Sequence, residues 1–124
     1  MNHTELYKTF GVYVFERMLK GGFQTVAFGR GKLMDGREVI VLLAFFHDDG
    51  RIVTHERHEV RDEKGKAVNE AFEHEYSREE FYEYRMKHQV TLIEAFMVDM
   101  LLDEWKRRNK RKTKKGSTPT SSRF

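Results

Sequence analysis

The sequence predicts an α+β domain: an N-terminal helix, a four-stranded antiparallel β-meander, a long C-terminal helix packed on the sheet, and a basic disordered tail. Three observations carry that prediction. Apolar residues recur at helical spacing near both ends of the chain. Between them, Gly-bearing turn signals divide the sequence into segments of strand length. Between Lys106 and Lys115, eight residues in ten are basic.

Leu6, Phe10, Val14 and Met18 fall every four residues, which predicts a helix over 4–20. Thr4 suits its N-cap and Gly21-Gly22 its stop. Gly11 falls inside this helix, at about 1 kcal/mol, and close packing would explain it. Phe23 to Met34 reads as a strand, with Asp35-Gly36 as a two-residue hairpin turn. Glu38 to His47 is apolar on both faces and should be the central strand. Asp48-Asp49-Gly50 turns the chain into a charged, half-exposed strand over 51–60. A further turn, Asp62-Glu63-Lys64-Gly65, precedes 66–76. There Val68, Phe72 and Tyr76 fit either a helix or one strand face, and the preceding turn favours a strand.

Ser77-Arg78-Glu79-Glu80 has the form of a capping box. No Gly or Pro follows for thirty residues, while Met86, Val90, Ile93, Met97, Leu101 and Trp105 form a stripe. One helix from 78 to at least 108 is therefore expected. Residues 1–108 form the single domain and 109–124 the Ser/Thr-rich tail, which its composition predicts to be disordered.

Of 124 residues, 39% are hydrophobic and ten are Phe, enough for a core without a metal or disulfide. The absence of Cys excludes disulfides, thiolate nucleophiles and Cys-ligated metals. The longest apolar run, Val39 to Phe46, is far short of a membrane span, and the amino terminus has no secretory signal pattern. These features predict a cytoplasmic protein with no membrane partner. Residues 1–105 carry 14 basic against 20 acidic side chains, a net of −6, while 106–124 carry +9. The overall pI thus describes neither half.

The candidate polyanion-binding residues are Lys106, Arg107, Arg108, Lys110, Arg111, Lys112, Lys114 and Lys115. Cations release condensed counterions when they neutralise phosphates. A helix C-terminus needs only one or two for its dipole. Folding of the tail back onto the acidic body is the competing reading. Among the histidines, His55 and His58 point to opposite strand faces and cannot chelate together. His47 and His55, with Asp49, leave a metal-dependent hydrolase as a distant alternative, against exposed histidines as the default. Gly29-Arg30-Gly31-Lys32 lacks the spacing of a phosphate loop and reads as a strand twist or bulge. Glu70, Glu73, Glu75, Glu79, Glu80 and Glu83 read as solvated carboxylates.

Tyr76, Phe81, Tyr82 and Tyr84 are candidates for a protein interface, against ordinary core packing. No catalytic residue, metal or cofactor is predicted. The expectation is a small non-enzymatic binding or regulatory protein, its body docking a protein partner and its tail contacting nucleic acid or a ribonucleoprotein. Small phage-type inhibitors of host machinery share this style of organisation. A homodimeric scaffold with paired long helices is the alternative.

Overall fold

The computed structural model describes residues 10–116, with side chains described to Arg108. The elements in order are α1 (Val12–Lys20), β1 (Phe23–Lys32), β2 (Glu38–His47), β3 (Ile52–Arg61) and β4 (Ala67–Tyr76). They are followed by α2 (Arg78–Lys87), β5 (Val90–Met97) and α3 (Val98–Gly116). The five strands form one antiparallel sheet in the order β4-β3-β2-β1-β5.

The three hairpins of the meander share one construction. Gly36, Gly50 and Gly65 donate their N–H groups to Leu33, His47 and Asp62, at 2.9 Å in each case. Each glycine has a left-handed φ, of 93°, 97° and 77°. These are three-residue loops closed by a glycine bulge rather than two-residue turns, a geometry that keeps the strands' right-handed twist. In the first two, the aspartate before the glycine binds the arginine after it. Asp35 Oδ2 accepts from Arg37 Nε at 2.8 Å, and Asp49 Oδ2 from Arg51 Nε at 2.9 Å.

Two apolar clusters lie on opposite faces of the sheet. Phe15 and Met18 of α1 and Val98, Leu101 and Leu102 of α3 cover Val26, Phe28, Leu43, Phe45 and Val53. On the other face, Phe81 of α2 covers Leu42, Ala44 and Ile52, with Tyr76 and Tyr84 packed alongside. The alternation Leu42, Leu43, Ala44, Phe45 supplies both clusters from β2, the central strand that its two apolar faces predicted.

Three expectations are corrected. The helix expected over 4–20 is interrupted at Gly11, whose φ of +81° places it before α1 and not inside it. Thr4 and Leu6 lie outside the described residues. The strand over 51–60 is buried for much of its length: Val53 and His55 face one side, Thr54, Glu56 and His58 the other. Coverage by a helix on each face accounts for this.

The largest correction concerns the helix expected over 78–108, which is three elements. Gln89 takes a left-handed φ of +49° and turns the chain without glycine or proline. The next eight residues then add a fifth strand beside β1. Strands β4 and β5 sit at opposite edges of the sheet, four interstrand spacings or about 19 Å apart. Helix α2, ten residues and about 15 Å long, carries the chain across that distance over one face. A continuous helix would leave the free edge of β1 unpaired; β5 satisfies it.

Glycines in β1 make room for this strand. A Cβ on Gly31 would stand 2.4 Å from the Gln89 carbonyl oxygen and 2.7 Å from Val90 Cα, and one on Gly29 3.0 Å from the Thr91 oxygen. The pair that read as a strand irregularity does carry register shifts against both neighbours. Its larger role is to admit the β5 backbone.

Candidate functional site

The basic run is positioned by α3. This helix starts directly after β5, buries Val98, Leu101 and Leu102 in the core, and half-buries Trp105 against the same cluster. Beyond Trp105, Lys106, Arg107 and Arg108 are exposed, and Glu104 lies 3.6 Å from Arg108 one turn on. The helical backbone continues through Lys110, Arg111, Lys112, Lys114 and Lys115 to Gly116. It therefore extends into the segment that composition set apart as a tail at residue 109; residues 117–124 lie outside the described residues. From Lys106 to Lys115 a helix rises about 14 Å, one cationic residue per roughly 1.7 Å. Duplex DNA carries one negative charge per about 1.7 Å of axis.

A second polar cluster, which the sequence did not single out, lies under α2. Glu56 is 1% exposed, in the middle of β3. Its Oε1 accepts from the Tyr84 hydroxyl at 2.6 Å and lies 2.7 Å from His58 Nε2, while Oε2 accepts from Thr54 Oγ1 at 2.6 Å. Thr54, Glu56 and His58 share a face because they are two residues apart on one strand. Tyr84 arrives from α2, whose start is fixed by the capping box. The Ser77 Oγ accepts from the Glu80 N–H at 3.2 Å, and Glu80 Oε1 accepts from the Ser77 N–H at 2.8 Å.

Burial, reinforced by the hydrogen bond to Glu56, pushes the Tyr84 hydroxyl well above the usual phenol range. Burial first, then the charges of Glu56 and Glu80, does the same to Tyr76. Tyr84 therefore acts as a fixed proton donor in this cluster. The carboxylate has its partners in place and almost no exposure, so the chemistry the cluster supports is attachment of α2 to the sheet. The sequence marked Tyr84 as an interface candidate and weighed His58 as a metal ligand; burial of β3 on both faces is what joins them to Glu56.

The remaining candidates are dispersed. His55 and His58 do face opposite sides: His55 packs edge-on to Phe45, while the His58 ring lies 4.6 Å from that of Phe72. Both are buried, contrary to the expectation of exposed histidines. Burial, chiefly, holds the His55 imidazole below its usual range, with Arg17 adding to this and Glu73, 3.7 Å away, opposing it. His47 does not meet His55, because His55 pairs with Leu43 while His47 sits at the hairpin, 3.0 Å from Asp49 Oδ1. Among the described residues no group of three or more His, Cys, Asp or Glu could hold a metal ion.

Glu70, Glu73, Glu75, Glu79, Glu80 and Glu83 are all exposed. Of the aromatic candidates, Phe81 is core and Tyr76 and Tyr84 pack against it, while Tyr82 alone stands out, at 63% exposure. No helix among the described residues is long and apolar enough to cross a membrane. Comparison of the chain with protein families, with curated proteins and with solved structures gives no match.

Proposed function

We propose that this is a non-enzymatic binding protein whose C-terminal helix is a cationic arm for nucleic acid. The observation that carries this reading is the continuity of α3. One uninterrupted helix is anchored by Leu101 and Leu102 and runs through all eight basic residues. A helical backbone sets its residues at fixed axial intervals and so gives up less conformational entropy on binding than a loose segment. The body, net −6 over residues 1–105, repels a polyanion and confines contact to the arm. Binding of this kind reads phosphates rather than base edges, so it is sequence-tolerant. Tyr82 and Met86, both exposed on α2, form the apolar surface that a protein partner of the body would meet.

Fluorescence anisotropy with a labelled duplex of scrambled sequence tests this reading across a salt series. If all eight cations engage phosphates, log K falls against log salt with a slope of about −7. Replacing Lys110, Arg111, Lys112, Lys114 and Lys115 by Gln keeps good helix formers and should flatten the slope to about −3. Equal affinity and slope for the two proteins would refute it.

A further inference from the structure

The two edges of the sheet are built differently. Edge strand β4 carries Glu70, Glu73 and Glu75 and no Lys or Arg, charges that discourage a second strand from pairing there. The opposite edge, β5, carries Glu94 as its sole charge. It pairs with β1 on one side, and among the described residues nothing pairs with its other side. Beside that open ladder stand Ile93, 60% exposed, Met97, 44%, and Met100 in the first turn of α3, 67%.

We infer that β5 is a self-association edge: two copies of this chain pair antiparallel through it and form a continuous ten-stranded sheet. An open ladder of backbone donors and acceptors specifies an extended strand as its occupant. The sequence of β5 makes a second copy a good one. A two-fold pairing of antiparallel strands centres on one residue, which faces itself across the axis. Centring on Glu94 would oppose two carboxylates. Centring on Ala95 places two small side chains at the axis, sets Glu94 against the partner's Phe96, and sets Ile93 against the partner's Met97, twice.

The extra residue that β5 inserts at Ile93 lies at the end of this overlap, and the register 94–97 against β1 is regular. Charge repulsion in self-pairing scales with the product of strand charges; with Glu73 paired to Arg17 at 3.0 Å, Glu70 and Glu75 remain on β4, which would suffer roughly four times the repulsion of β5. The axis is perpendicular to the sheet, which puts both α3 helices on one face. This inference does not rest on what the arms bind.

The chain has no cysteine, so a single introduced thiol reports its own environment. Residues directly opposite in an antiparallel pair have Cα atoms about 4.5–5.5 Å apart, inside the disulfide range of about 4.4–6.8 Å. Ala95→Cys in the full chain should crosslink rapidly to a dimer under mild oxidation, and Ala71→Cys on the exposed β4 edge should not. Sedimentation should show a dimer for the unmodified chain, with dissociation at least tenfold easier for Ile93→Lys at unchanged circular dichroism. A monomer at 100 μM, equal crosslinking at the two positions, or a dimer that Ile93→Lys leaves intact would overturn the inference. So would a β5 edge occupied by a different protein.

Discussion

Replacing Tyr84 with Phe removes one oxygen from the cluster around Glu56 and leaves the ring in place. The contacts of that ring with Tyr76, Phe81 and His88, at centroid separations of 5.4, 6.5 and 4.9 Å, are retained. What is lost is the 2.6 Å hydrogen bond to Glu56, which keeps His58 and Thr54 as partners. Hydrogen bonds to charged groups contribute about 1.5–3 kcal/mol, so a loss of about 2 kcal/mol is expected at pH 8. For a domain of this size that lowers Tm by about 8 °C.

The same bond has a pH signature. The Tyr84 phenol is raised in the folded protein, so its contribution is complete below the unfolded value near 10 and declines as pH rises beyond it. The decline is at most about 1.4 kcal/mol per pH unit for one group. The variant has no phenol at position 84 and escapes that decline. The stability gap should therefore shrink from about 2 to below 1 kcal/mol between pH 8 and pH 11. Urea titrations followed by circular dichroism measure both values. A gap constant across that range, or a variant as stable as the parent at pH 8, would refute the assigned role of the bond.

Gly31→Ala drives a methyl group into the Gln89 carbonyl and the Val90 backbone. Overpacking of this kind costs about 1–3 kcal/mol, and here it should also detach β5, seen as accelerated amide exchange in 90–97 before global unfolding. His55 has its imidazole held below the usual range, so its neutral form supports the fold above about pH 6.5 and that support is lost as pH falls. Its Nε2 is buried and has no hydrogen-bond partner among the described residues. His55→Leu should therefore match or exceed the parent in Tm at pH 7 and widen the advantage at pH 5.5; a larger acid loss than the parent's would exclude this account.

The difference between what sequence and structure reveal is clearest around residue 89. Ser77 and Glu80 announced the start of α2 correctly, because a capping box is a local bonding pattern readable at fixed spacing. Its end at Lys87 had no such mark. The turn is held by a tertiary contact, His88 Nδ1 accepting from the Met34 N–H at 3.0 Å, with a local bond from Arg85 Nε to the Val90 oxygen at 3.4 Å across it. Val90, Ile93 and Met97 satisfied a helical period only because periodicity at a few positions cannot distinguish a stripe from a strand. The free edge of β1 decided the matter, and Gly29 and Gly31, sixty residues earlier, were the trace of it.

By itself, the sequence determined the α+β class, the three glycine-closed hairpins, the central place of β2 and the separation of a basic run from an acidic body. Each depends on neighbours in the chain: turn chemistry, alternation, or composition. The tertiary structure decided the fifth strand, the burial of Glu56 and His58, and the dispersal of the histidines that sequence had placed near one another. Those features depend on which surfaces meet. A carboxylate on β3 reads the same in sequence whether it faces water or a tyrosine from a helix twenty-eight residues away.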